Sequence, residues 1–414
     1  MCSANRKKGF MWNTLGSAMY GVNSFVMLAM ASRVGTVEEA GAFGIAFTTA
    51  QLLYFIGLFG VPHYQMTDYG ETYSFGSYVK ARVFSGILML LCSIGSVVLM
   101  GFTGIKRAYT FALTLLMLVN VVGELFQSLF FQKNRLDLSG SALFFRTLWP
   151  LILFCAVALL TGNVFLAVLV QTASNLVITV YYGVRIAPKF ITKSIAETRK
   201  ADTAANVLRE CLPLAVSLLL MNIVINSSKY GIEFCLDDPA QGYFNMIFMP
   251  AQVINLCSQF LFKPFLNQYA TFVSQKRNAD FLKILCKQLL IIAAFTAFCC
   301  VCAYYLGIHV LGFIYKKDLS SLEWPLTLII LGGGLFAVCD LFYYILVIMR
   351  VQKGIFAVYI GATIGSLLLS FVFISRHGIL GAAYSFVITH ALILFAFILL
   401  IVGFLSKQRL SGQQ

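Results

Sequence analysis

Two carboxylates stand where an acid is hardest to keep. Glu124 lies in the apolar run VNVVGELFQSLFF and Asp340 in LFAVCDLFYYIL, each followed by Leu-Phe and 216 positions apart. If those runs cross a bilayer, a central charge costs roughly 2.5–3.5 kcal/mol on insertion scales, so ionisable groups there mark function by default. A carboxylate in low dielectric either takes a proton or finds a cation. Both residues are therefore candidates for coupling to H⁺ or Na⁺, or for gating. The competing role is structural, as an acceptor for neighbouring helices, for Glu124 through Asn120 or Gln127.

Cations and amides complete the set. Lys229, in NSSKYGIEF behind Asn226, Ser227 and Ser228, suits a phosphate if it faces a cavity and snorkels outward if it does not. Arg146, about one turn into its run, can grip a phosphate with two parallel hydrogen bonds or reach lipid head groups. Arg33, at the end of the first run, has the same two roles open to it. Amides recur along five of the runs, among them Asn23, Gln51, Gln171, Asn175, Gln252, Asn255 and Gln259. Most serve as hydrogen-bond partners between helices, and amides with aromatics are also what a sugar-passing cavity displays. Cys299, Cys300 and Cys302 are too closely spaced on one helix to surround a metal, so no metal site is expected. Without a phosphate-cradling loop or a nucleophile elbow, ATP hydrolysis by this chain is not expected either.

The elements that must position these groups follow from composition. Hydrophobic residues make up 60% of the 414, charged residues 11%, and mean hydropathy is +0.86, against about a quarter charged in an average soluble domain. Cutting at charges and turn residues leaves twelve runs near the roughly 20 residues a spanning helix needs: 10–31, 40–61, 83–103, 109–131, 143–161, 163–187, 211–232, 243–266, 288–309, 325–349, 355–375 and 379–404. They are continuously apolar, without the alternation of barrel strands, so they predict helices. Twenty-one Lys and Arg residues fall on one side of this arrangement and six on the other. Basic loops stay in the cytoplasm, which places both termini there in a multi-pass protein. The formal charge of +14 is then topological, meeting anionic lipid rather than nucleic acid.

The chain also repeats itself. Residues 41–59 and 242–260 share six identities in nineteen positions, pairing Gly41 with Gly242, Phe43 with Phe244, Phe47 with Phe248, Ala50 with Ala251, Gln51 with Gln252 and Phe59 with Phe260. Glu124-Leu125-Phe126 matches Asp340-Leu341-Phe342 two spans further on in each half. This predicts an all-α polytopic membrane protein built from a six-helix bundle over 1–187, a cytoplasmic connector over 188–210 and a second bundle over 211–414. An even number of spans per half gives the copies one orientation and a pseudo-twofold along the membrane normal, an architecture of transporters.

WNTLGSAMYGVNSF, EEAGAFGIAFTTAQLLYFIGLFGV, ELFQSLFFQKNRLDLSGSALFFR and NSSKYGIEFCLDDPAQGYFNMIFMPAQVINLCSQFLFKP resemble the bacterial polysaccharide biosynthesis proteins. These are the Wzx-type lipid-linked oligosaccharide flippases of the MOP superfamily, similar in fold to the multidrug and toxin extruders (MATE). The resemblance covers most of the first eight spans, and spans nine to twelve add hydropathy only. It implies a MATE-like fold in the bacterial cytoplasmic membrane, no enzyme activity, and no cofactor beyond a coupling H⁺ or Na⁺. It also implies a sugar repeat unit on undecaprenyl pyrophosphate as cargo, moved from inner to outer leaflet among membrane lipids and polysaccharide assembly proteins. On that reading Arg146 and Lys229 meet the pyrophosphate in turn while Glu124 and Asp340 bias the conformers, with Arg33, Gln51, Gln252 and Asn226 as further cargo contacts. A small-molecule antiporter of the same superfamily shares the architecture. A sugar-chain polymerase would need a large outer loop, and the longest outer segment, about 310–324, is short.

Overall fold

With no water in hydrocarbon to satisfy backbone groups, an apolar chain closes its hydrogen bonds within helices. The computed structural model describes residues 2–68, 71–191, 202–275 and 277–411, and these contain helices and no strand. In chain order they are α1 (Cys2–Val34), α2 (Val37–Leu58), α3 (Val61–Thr67), α4 (Phe75–Leu99), α5 (Gly104–Gln132), α6 (Leu136–Thr161) and α7 (Val164–Tyr181). Then follow α8 (Ala204–Cys235), α9 (Asp238–Phe262), α10 (Leu266–Ser274), α11 (Asn278–Cys302), α12 (Ile308–Tyr315), α13 (Glu323–Ile348) and α14 (Gln352–Ser411).

Among the described residues, ten stretches are long and apolar enough to cross a membrane, against the twelve spans read from sequence. Two features account for the difference. Gln352–Ser406 counts as one stretch of 55 residues, although Gly378 breaks it with φ 58° and ψ −135°, between the eleventh and twelfth predicted spans. The predicted eighth span forms the 25-residue helix α9, which carries too many amides to pass on hydropathy. The protein is a multi-pass membrane protein.

Residues 1–219 form one compact unit and 220–414 another. The boundary falls inside α8, which begins at Ala204, within the predicted connector. Residues 192–201 of that connector lie outside the described residues, as do the side chains of Phe260 and of the basic residues Arg6, Lys7, Lys8, Lys276, Lys407 and Arg409.

The repeated motif occupies the buried helix of each unit. α2 starts at a capping box, Thr36 Oγ1 accepting from Glu39 N at 3.2 Å while Glu39 Oε2 accepts from Thr36 N at 3.2 Å. α9 starts at Asp237, whose Oδ1 accepts from Ala240 N at 3.0 Å. Phe43 stacks on Phe47 with centroids 6.1 Å apart, and Phe244 on Phe248 at 5.4 Å. Each pair receives an edge-on ring, Tyr109 against Phe43 at 5.4 Å and Phe386 against Phe248 at 5.1 Å. By contrast α4 is two-faced. Ala81, Arg82, Ser85, Met89 and Ser93 are buried, while Val83, Phe84, Ile87, Leu91, Ile94 and Val98 are exposed, as lipid contact requires.

In the first unit α1 lies along α6 at backbone contact. A Cβ on Gly16 would come 2.7 Å from Gly140 O, and one on Gly140 would fall on the backbone of Trp12 and Asn13. Small residues permit this approach in membranes, where dispersion contacts rather than hydrophobicity hold helices together. Gly140→Ala is expected to lower the melting temperature of the purified protein, the strain being about 1–3 kcal/mol. An unchanged melt would show that the α1–α6 contact yields freely.

The start of α8 is tied to the same unit. The Asp68 carboxylate accepts from Thr72 N at 2.8 Å, Tyr73 N at 3.2 Å and Tyr78 OH at 2.8 Å. The turn so formed presents Tyr73, whose hydroxyl donates to Glu210 Oε1 at 2.9 Å, and Ser74, whose amide donates to Asp202 Oδ1 at 3.1 Å. Burial and the Glu210 contact push the Tyr73 phenol up to about 12, so it stays a donor at neutral pH.

Candidate polar site in the first unit

Glu124 lies eight residues before the end of α5 at Gln132, and Asp340 eight before the end of α13 at Ile348. Their surroundings differ. Glu124 Oε1 accepts from Arg146 Nη2 at 2.7 Å, and the same nitrogen reaches Gln127 Oε1 at 3.3 Å while Nη1 reaches Asn120 O at 3.4 Å. The side chains are 4% exposed for Arg146 and 13% for Glu124. Arg146 is therefore turned into the protein rather than snorkelling outward. α6 begins at Leu136, ten residues earlier, so the run that hydropathy starts at 143 opens mid-helix. The partner of Glu124 is a guanidinium rather than the amides alone.

One absent side chain makes room for this. Gly123, beside Glu124 on α5, carries the Arg146 guanidinium against its Cα, where a Cβ would coincide with Nη1.

Amides extend the network. Asn175 Nδ2 donates to Asn120 Oδ1 at 2.9 Å, Thr179 Oγ1 to Asn175 Oδ1 at 3.3 Å, and Gln171 Nε2 to Asn23 Oδ1 at 3.2 Å. Tyr20 and Tyr54 hydrogen-bond to each other nearby. Gln51, Asn23, Asn120, Arg146, Gln171 and Asn175 line a hole of about 20 Å³. That volume holds about one water. In this conformation the site admits a water or a bare ion, not a sugar.

In the second unit Asp340 has no salt bridge among the described residues. Gln259 Nε2 donates to its Oδ2 at 3.1 Å, and Asn255 also hydrogen-bonds to it. Lys229 is buried rather than extended outward, with Nζ 4.7 Å from the centre of the Phe248 ring, a distance at which a cation is held by the ring face. Asn226 Nδ2 donates to Asn222 O at 3.1 Å one turn earlier. Ser228, Ser385 and Ser370 form a hydroxyl chain with 3.0 Å links. Gln252 is exposed on α9 and Arg33 on the last turn of α1, so neither joins these clusters, whereas Gln51 lines the hole.

Sequence reasoning missed Arg82, which it counts only among the basic loop residues. It is 4% exposed, with Nη1 donating to Gly57 O at 3.1 Å and Leu58 O at 2.7 Å, the last carbonyls of α2. No local signal separates such a cap from a loop cation, because its acceptors lie on another helix.

Comparison with solved structures places the fold. The lipid II flippase MurJ in an inward closed conformation superposes with a TM-score of 0.70 at 14% identity, covering 98% of this chain and 89% of that one. An inward-facing multidrug resistance MATE family transporter of the MOP superfamily gives 0.65 at 14% identity, covering 94% of each chain. The Vibrio cholerae MATE transporter VcmN in its bent form gives 0.60 at 12% identity, covering 99% of this chain and 98% of that one. No match was found among curated protein sequences. A family profile described as "Polysaccharide biosynthesis protein" matches residues 7–263. With most of its length matched by that profile and a MATE- and MurJ-like helical fold around it, the chain belongs to the polysaccharide biosynthesis protein family.

Proposed function

We propose that the protein is a flippase for a lipid-linked oligosaccharide. It moves a sugar repeat unit on undecaprenyl pyrophosphate from the inner to the outer leaflet of a bacterial cytoplasmic membrane, by alternating access driven by an H⁺ or Na⁺ gradient. The observation that carries this reading is Arg146, a guanidinium buried in a spanning bundle at the wall of an amide-lined hole. A pyrophosphate cannot cross hydrocarbon unaided and needs a cation inside the protein to replace its water. Arg146 keeps that charge in reserve on Glu124 and presents a planar fork matched to phosphate. Buried Lys229 offers a second cation in the other unit, and the amides suit sugar hydroxyls.

Coupling falls to the carboxylates of Glu124 and Asp340. Each must change partner or protonation as access alternates, since neither can stand alone in low dielectric. Deleting the gene is expected to leave a lipid-linked intermediate on the inner leaflet, identifiable by mass spectrometry. Normal surface glycan with no accumulation would reject the flippase reading. Gradient-driven export of cationic drugs from vesicles holding the purified protein would install the antiporter reading instead.

A further inference from the structure

Arg82 has more hydrogen-bonding capacity than its helix-capping role uses. Nη1 satisfies the α2 carbonyls, but Nε and Nη2 are buried with no hydrogen-bond partner among the described residues. A buried guanidinium left half satisfied is costly, and capping a helix end answers for one nitrogen only. Its position points to an acceptor. Gly57, whose carbonyl it holds, packs against Val121, and Val121 precedes Glu124 by three residues on α5, on the same helix face. Glu124 has one oxygen on Arg146; Oε2 takes no hydrogen bond from the described residues, and the side chain retains some exposure and hence room to turn.

The titratable groups around Glu124 are Tyr20 from α1, Tyr54 from α2, His63 from α3, Arg82 from α4 and Arg146 from α6. None of these is a second carboxylate. Two buried cations thus share one anion, and whichever cation is left without it bears the penalty of an uncompensated charge.

We infer that Glu124 is handed between two guanidiniums, resting on Arg146 in the conformation seen here and passing to the open Nε and Nη2 of Arg82 when Arg146 turns to the cargo phosphate. The trigger rests on the flippase reading; the second seat does not. Arg82 is then a positioning residue that keeps Glu124 ionised after its first partner departs. The carboxylate of the first unit never needs a proton, and the coupling ion belongs to Asp340.

The test needs no cargo. Infrared spectra of the purified full-length Arg146→Gln protein at neutral pH, differenced against Arg146→Gln/Glu124→Gln, should show no protonated-carboxyl band. Adding Arg82→Gln should make that band appear. A protonated band in Arg146→Gln with Arg82 intact would overturn the hand-over, as would its continued absence after Arg82→Gln. If Arg146→Gln does not fold, Gly123→Ala displaces the same guanidinium while keeping every charge, and the same spectra decide. Since no lipid substrate is present, failure here leaves the transport assay untouched, and failure of the transport assay leaves the spectra standing.

Discussion

Replacing Gly123 with alanine is expected to reduce flipping as severely as removing Arg146 itself. The added methyl would occupy the place of Nη1, so the guanidinium must shift from the position in which it holds Glu124, Gln127 and Asn120. Helix propensity pushes the other way, alanine being favoured over glycine by roughly 0.5–1 kcal/mol. Any loss therefore belongs to the displaced arginine and not to a weakened α5. Breaking a buried pair by removing one partner costs about 3–5 kcal/mol, an upper bound here because Gly123→Ala keeps both charges. If even the lower figure appears in the translocation barrier, the rate falls about a hundredfold, at about 1.4 kcal/mol for each factor of ten. Initial rates in vesicles carrying a fluorescent lipid-linked oligosaccharide check this, and a rate within twofold of wild type would remove Arg146 from the transport path.

Asp340→Asn and Glu124→Gln are expected to fail in different ways, although sequence presents the two acids as equivalents. Asn at 340 keeps the size of the side chain and an oxygen for Gln259, and no salt bridge is lost. The protein should melt close to wild type and still flip down a concentration gradient, but no longer respond to an imposed H⁺ or Na⁺ gradient. Gln at 124 leaves the buried Arg146 cation without its counter-charge, with a penalty of about 3–5 kcal/mol, so its first symptom is a lowered melting temperature. Paired thermal melts and gradient-jump flux assays separate the two. Identical behaviour in both assays would mean that the ion pair seen at Glu124 carries no consequence.

The distance of both acids from the ends of their helices was legible because hydropathy locates the ends of α5 and α13 well. The surroundings were not legible. Arg146 is misplaced by a rule that opens a span at the last charge, since Lys133, Arg135 and Asp137 crowd the true start of α6. Arg82 falls to the same rule, because a charge near a run's edge is assigned to a loop unless its acceptors are known. Gly123 reads as a neutral residue in a helix until the side chain lying across it comes from another helix. α9 shows the converse: the amides that make it a candidate wall also lower its hydropathy below that of its neighbours. The matched phenylalanines of α2 and α9 were legible from the repeat, and the structure adds that each pair, four residues apart on one face, stacks.

The one-water hole beside Arg146 has a consequence for the cell's energy supply. A carrier that waits for scarce cargo stands idle for most of its life, and an idle path that conducted protons would discharge the membrane. A cavity of about 20 Å³ holds about one water, too little for a continuous wire along this wall. The arginine proposed to receive a phosphate thus stands at a one-water site, which by itself offers protons no file of waters to follow.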